Sequence, residues 1–224
     1  METTFQTLPM MKPGPFRLAK EGYPFLAIFG LLGLGGGFLF WPLGVVFGGL
    51  FLFTIYFFRD PEREPPSDPT LLTSPADGRV LKIEEIQKGP YISGSYRKIS
   101  IFMSPMDVHV NTIPCDGTVR AVQYHPGKFF VASLDKASEH NERNAVVLET
   151  PSGKQVGFVQ IAGLVARRIV CYAKQDRAVR RGERYGMIRF GSRMEVCLPL
   201  EWSVLVKPGD RVIATQSALA RMSS

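Results

Sequence analysis

The sequence predicts a mostly β domain preceded by an apolar helical hairpin. Three observations predict it. Residues 22–58 hold no charge, short strand-like runs ending in Gly, Pro, Asn or Asp turns fill the chain after residue 64, and no long amphipathic 3.6-residue period occurs.

The hairpin comes first. A single helix through 22–58 would run about 54 Å at ~1.5 Å per residue, well past the ~30 Å hydrocarbon core of a bilayer. Gly35-Gly36-Gly37 and Trp41-Pro42 interrupt that run near its middle. Two short helices are expected, 24–40 and 43–58, folded back on each other and either spanning the membrane or lying monotopically in it. Lys12, Arg17 and Lys20 precede the hairpin, and Arg59 and Arg63 follow it. The positive-inside tendency then puts both ends, and the domain behind them, on the cytoplasmic side of a bacterial inner membrane. Phe25, Trp41, Tyr56, Phe57 and Phe58 suit headgroup level. A secretory signal peptide fits poorly, because the apolar region is too long, starts late and has no clear A-x-A site after it.

Composition sets outer bounds. The 224 residues are enough for one good-sized domain and an appendage, and 45% hydrophobic with 21% charged residues is ordinary for a globular chain. A net charge of +7 points to an anionic partner without choosing among nucleic acid, lipid and phosphorylated substrate. Cys115, Cys171 and Cys197 lie far apart with no C-x-x-C pair, which argues against a zinc site or a disulfide framework. The division expected is an anchor over 1–63 and a β domain over 64–224, joined through the proline-rich stretch Glu64-Pro65-Pro66-Ser67-Asp68-Pro69.

Within the β domain the expected strands are 79–83, 98–102, 117–124, 145–150, 155–161, 187–190, 194–198 and 204–206, with a short helix over 132–140. Turn units recur at Pro75-Ala76-Asp77-Gly78-Arg79-Val80, Val179-Arg180-Arg181-Gly182-Glu183-Arg184-Tyr185-Gly186 and Val206-Lys207-Pro208-Gly209-Asp210-Arg211-Val212. Glycine there supplies the backbone of a tight reversal, and flanking apolar residues reach into a core. The pattern resembles the barrel-sandwich half-barrels of biotinyl and lipoyl domains. The lysine those domains carry at a hairpin tip is not found, so a carrier role is not implied.

Phe190-Gly191-Ser192-Arg193 is the most informative stretch. A Gly-Ser pair is common in turns, but this one lies between the apolar runs 186–190 and 194–198. Glycine leaves its carbonyl open to attack, and the next residue supplies a hydroxyl.

Several motifs in order make that pair specific. They are Tyr56-Phe57-Phe58-Arg59-Asp60-Pro61, Ser74-Pro75-Ala76-Asp77-Gly78, Met103-Ser104-Pro105-Met106-Asp107-Val108-His109-Val110-Asn111, Asp135-Lys136-Ala137-Ser138-Glu139-His140-Asn141-Glu142-Arg143-Asn144, Arg181-Gly182-Glu183-Arg184-Tyr185-Gly186 and Phe190-Gly191-Ser192. Along nearly its whole length the chain resembles the short bacterial class of phosphatidylserine decarboxylases. The resemblance implies self-cleavage between Gly191 and Ser192 into a larger chain, 1–191, and a smaller one, 192–224, which stay together and whose oligomeric state is open. It implies a covalent pyruvoyl group made from Ser192 by serinolysis. That group forms a Schiff base with the serine headgroup of phosphatidylserine in an anionic membrane and takes the electrons left when carbon dioxide departs. No metal is implied.

Supporting residues carry two readings each. Asp77 is a candidate for orienting or deprotonating Ser192; otherwise Asp77-Gly78 simply makes a turn. His109 is a candidate for proton transfer in decarboxylation, or a structural histidine on a strand. Longer relatives of this class place a relay histidine three residues after the first, where this chain has Thr112. The group that activates Ser192 is therefore open between His109 and Asp77. Arg143 is a candidate for the substrate phosphate or carboxylate, or a solvated arginine. His125 and His140 receive no role, and the pairs Arg167-Arg168 and Arg180-Arg181 mark either a solvated face or a headgroup contact.

Readings of other classes remain at this stage. One is a non-enzymatic membrane adaptor displaying a lipoyl-like β module, although no coiled-coil heptads accompany it. Another is a pyruvoyl decarboxylase for a different serine-headgroup lipid. Nucleic-acid binding is disfavoured, because the basic residues are scattered with no aromatic-interleaved stripe.

Overall fold

The computed structural model describes residues 17–130, 140–164, 168–189 and 191–223. Lys12, Arg167, Phe190 and the expected helix over 132–140, save His140 itself, lie outside them, as does 135–139 of the quoted motifs.

The hairpin is present, as α1 (Tyr23–Leu39) and α2 (Trp41–Phe57). The break falls on Phe40, which is extended at φ −155° and ψ 106°. Pro42 then opens α2, where its missing N–H costs no helical bond. The expected interruption at Gly35-Gly36-Gly37 does not occur; those residues stay inside α1. The reason is helix packing. A Cβ on Gly44 would come within 2.8 Å of the Gly37 Cα, so the glycines let the two backbones touch. α1 has no buried residue and α2 buries Thr54 and Phe57, while many side chains of the pair face outward, Phe38 being 92% and Leu39 84% exposed. One segment, Lys20–Leu39, is long and apolar enough to cross a membrane, and Trp41–Phe57 is a shorter apolar helix.

The hairpin's two ends are tied together. Ala19 N–H donates to the Phe58 carbonyl and Asp60 N–H to the Arg17 carbonyl, each at 2.8 Å, so entry and exit run antiparallel at one foot. That foot is apolar. Ala19, Phe57 and Phe58 pack with Val108, Val110 and Met187 of the β domain.

The rest is β structure. An eight-stranded antiparallel sheet takes the order β13-β2-β3-β11-β7-β6-β5-β9. Its strands are β2 (Gly78–Ile86), β3 (Tyr96–Met103), β5 (Gly117–His125), β6 (Arg143–Glu149), β7 (Gln155–Ile161), β9 (Ala178–Val179), β11 (Ser192–Pro199) and β13 (Arg211–Val212). Two small sheets cap it: β4 (Val110–Thr112), β10 (Arg184–Ile188) and β8 (Ile169–Cys171) in one, and β1 (Leu71–Thr73), β14 (Ala218–Arg221) and β12 (Ser203–Val204) in the other.

The large sheet reads alike from either edge. Pro75-Ala76-Asp77-Gly78 opens β2 and Pro114-Cys115-Asp116-Gly117 opens β5. The register then shifts between Val80 and Lys82 in one and between Val119 and Ala121 in the other. Such bulges bend a strand and raise its twist, which curls the sheet into the expected half-barrel. Gly78 is required by close approach, since a Cβ there would lie 2.1 Å from the Phe102 carbonyl oxygen. Inside the curl lies the main core, built from Ile99, Ile101, Phe158, Met194, Val196 and Trp202 among others.

Candidate active site

Ser192 is the first residue of β11, which lies between β3 and β7 in the middle of the sheet. Side chains alternate along a strand. Ser192 therefore shares the inner face with Met194, Val196 and Leu198, all core residues, while Arg193 and Glu195 face the other way. Ser192 is fully buried, and among the described residues its hydroxyl meets a soft acceptor, the Met103 Sδ at 3.4 Å. The residue before it, Gly191, has φ +65°, a left-handed backbone natural to glycine, with open space where a Cβ would stand.

A buried amide chain approaches this hydroxyl from inside. Asn144 Nδ2 donates to Gln160 Oε1 at 3.3 Å and Gln160 Nε2 to Asn111 Oδ1 at 2.9 Å. Asn111 Nδ2 contacts the same Met103 Sδ at 3.9 Å. The sequence reasoning quoted Asn111, Asn144 and Met103 only as motif members and passed over Gln160. The signal was available: in 155–161, Gln160 falls at the parity of Val156 and Phe158, and a polar side chain at an inward position needs a reason.

His109 enters from the segment between β3 and β4 and is also fully buried. Its Nδ1 bonds the Asp107 carbonyl at 2.9 Å, which requires the proton on Nδ1 and leaves Nε2 as a bare lone pair. That Nε2 has no hydrogen-bond partner among the described residues. The Phe57 ring covers the imidazole at 4.3 Å between centroids, so the hairpin foot seals it from water. Asp107 holds the segment in place, accepting from Ser104 N–H and Oγ at 2.8 Å each and from Arg211 at 2.7 Å.

Burial lowers the His109 pKa to about 4, opposed by the Asp107 carbonyl and the Asp107 charge and assisted by Arg59; the Asp77 charge also raises it. His109 is therefore neutral at ordinary pH, a base rather than a cation. A stability slope follows. Between the folded value of about 4 and the unfolded value near 6.5 the unfolded chain binds more proton, so stability falls as pH drops through that window. At ~1.4 kcal/mol per pKa unit the full loss is about 3 kcal/mol. A His109→Asn chain should show a flatter unfolding-midpoint profile than the parent across that window, in the same detergent. Parallel profiles would mean that the imidazole is not held neutral.

Asp77 is held by the foot of the anchor. Arg63 grips it in a fork, at 2.5 and 2.8 Å, and the Ala214 N–H donates to it at 2.8 Å. Its turn abuts the end of β3, where Met103 pairs with Ser192, but the carboxylate makes no bond to the Ser192 hydroxyl. The symmetric turn offers a control. Asp116 is exposed and accepts from the Arg181 N–H, so making the turn does not require burial. Thr112, at the relay position, pairs with Thr215 Oγ1 at 3.1 Å and lines a cleft with Asp60, Arg63, Val110 and Arg184.

Arg143 stands apart. It pairs across the sheet with Ile161, which pairs with Arg193, so it shares the face opposite the Ser192 hydroxyl. There it bonds the Tyr91 hydroxyl. The structure thus puts Ser192 and the Asp77 turn at the end of β3 and His109 within electrostatic reach of Asp77, and leaves Arg143 on the other side.

A sequence profile described as phosphatidylserine decarboxylase matches residues 50–220. Among curated relatives, the phosphatidylserine decarboxylase proenzyme of Syntrophus aciditrophicus is 48% identical over 205 residues, covering 90% of this chain and 96% of its own length. That of Polynucleobacter asymbioticus is 48% identical over 218 residues, covering 95% and 98%. That of Burkholderia lata is 47% identical over 218 residues, covering 95% and 99%.

Proposed function

The chain belongs to the phosphatidylserine decarboxylase family, and from that premise we propose that it cuts itself between Gly191 and Ser192 and uses the new terminus to convert phosphatidylserine to phosphatidylethanolamine and carbon dioxide. The observation that carries this reading is the Ser192 hydroxyl, buried in mid-sheet behind a left-handed glycine and, among the described residues, held by a thioether alone.

Processing uses the chain's own atoms. The Ser192 Oγ adds to the Gly191 carbonyl carbon, its proton passes to a base, and the peptide C–N bond breaks to leave an ester and a free amine. Removal of the Ser192 α-proton then expels the Gly191 carboxylate and leaves dehydroalanine. Water adds and ammonia leaves, giving a pyruvoyl ketone. The residues present fit that group: Ser192 is buried, its hydroxyl shares the Met103 Sδ with the amide chain through Asn111, and residue 191 has no side chain to obstruct it. The ketone supplies an electron sink for decarboxylation.

His109 is assigned the proton transfers, with the Asp107 carbonyl fixing its tautomer and the Nε2 lone pair as base. Once protonated, it returns the proton to the carbon that carbon dioxide leaves. Asp77 acts through its charge, which raises the proton affinity of His109, while Arg63 anchors it. No metal takes part. The fragments 1–191 and 192–224 stay joined because β11 remains laddered between β3 and β7, β13 to β2, and β14 to β1. The exposed apolar hairpin lies in the bacterial inner membrane, with the β domain on the cytoplasmic side where the headgroups are.

Intact-mass measurement of the purified protein tests this directly. Two polypeptides are expected, meeting at residues 191 and 192, the smaller one blocked to amino-terminal sequencing and trapped with substrate amine by borohydride. A single active chain with no trappable carbonyl would overturn the proposal.

A further inference from the structure

Among the described residues, Arg189 close to the cleavage point has no acceptor for its buried Nε, and Arg168 lies within electrostatic reach of it. The ladder between β10 and β8 runs Gly186 to Cys171, Met187 to Val170 and Ile188 to Ile169 and ends there, so Arg189 follows the last residue of one strand and Arg168 precedes the first of the other. They fall at the parity of Met187 and Val170, which pack against the hairpin foot. The Arg189 guanidinium lies 5.6 Å from the centre of the Phe25 ring of α1. Its Nε is buried and has no partner among the described residues. Like charges brought close together repel, and more strongly where water is excluded. Here burial, and then Arg168, push the Arg189 pKa down, against the weaker opposing influence of Glu21 and Tyr172. The Glu21 carboxylate already takes the Tyr172 hydroxyl, and Lys20 lies over the Tyr172 ring at 4.3 Å, adding a third cation.

We infer that Arg189 and Arg168 form the seat of the substrate's phosphodiester, an inference that rests on the decarboxylase reading above. Position argues for it as strongly as charge. Arg189 is two residues before Gly191 and faces the foot of the apolar hairpin. A phospholipid with its chains beside that hairpin and its serine amine at residue 192 must carry its phosphate through the space between. An arginine fork satisfies two phosphate oxygens at once, and the anion relieves the repulsion between the pair. Arg143, on the opposite face, has no such access.

The test uses self-cleaved protein only, quantified by its trappable carbonyl, so that faulty processing is not read as faulty binding. For Arg189→Ala the KM for phosphatidylserine in mixed micelles should rise about 10- to 100-fold with kcat changed only a few-fold, the size of one charge-assisted pair. Arg189→Lys should recover part of the loss, and Arg168→Ala should show a smaller rise. Soluble glycerophosphoserine separates the possible sources of the anion. The same KM rise with this acyl-free substrate, together with competitive inhibition by inorganic phosphate that weakens in Arg189→Ala, supports a phosphodiester seat. A rise confined to micelles would assign the arginines to bulk anionic lipid and overturn the inference, as would an unchanged KM in cleaved Arg189→Ala. Absence of any cleaved, carbonyl-bearing wild-type protein would instead remove the decarboxylase mechanism, and the inference with it.

Discussion

Ser192→Ala is expected to yield one uncut chain of 224 residues with decarboxylation reduced at least about 10⁶-fold, the low end of enzymatic accelerations. The size follows from what is lost. Without the hydroxyl there is no ester, no elimination and no ketone, so the electron sink is absent rather than weakened. The fold should barely register the change. Among the described residues Ser192 donates to the Met103 Sδ alone, a weak acceptor, and alanine fills the same inward site on β11. A stability change below about 1 kcal/mol is expected. Electrophoresis, a decarboxylation assay and a thermal melt on one preparation read all three quantities. Normal turnover by the uncut variant would sink the assignment of Ser192.

His109→Ala should lower turnover by roughly 10²- to 10⁴-fold, the usual worth of a positioned general acid or base. Among the described residues the imidazole carries a buried nitrogen lone pair with no partner, and it is held by the Asp107 carbonyl and the Phe57 ring. Cleavage and turnover must be timed separately, because the same base is assigned to both. Slow cleavage followed by slow turnover of the cleaved fraction is the expected pattern. Cleaved His109→Ala protein with parental kcat would remove His109 from decarboxylation, and His109→Gln, which refills the volume beneath Phe57, guards against a purely structural loss.

Much of the fold was legible locally. The uncharged run 22–58 announced a hairpin, and 155–161 was read to the residue as a strand. The short strands β1, β4, β8, β9, β13 and β14 were not foreseen, since two to four residues cannot display a period. The end of β10 was misjudged as well. The apolar run reaches Phe190, but the strand stops at Ile188, and left-handed Gly191 intervenes before β11 begins. At the candidate site, residue types were visible and their states were not. Asp77 and Asp116 stand in matching Pro-x-Asp-Gly turns, and nothing nearby in sequence says that only the first is buried against an arginine.

The amino-acid order alone determined which segments are apolar, where the chain turns, and that a glycine carbonyl precedes a serine hydroxyl, because each depends on neighbours within a few residues. Tertiary structure decided that burial holds His109 neutral, that Arg63 takes the Asp77 carboxylate, that Arg143 lies across the sheet from the Ser192 hydroxyl, and that Arg168 comes within electrostatic reach of Arg189. Those outcomes depend on strand register and on desolvation by residues far away in the chain, which local pattern does not encode.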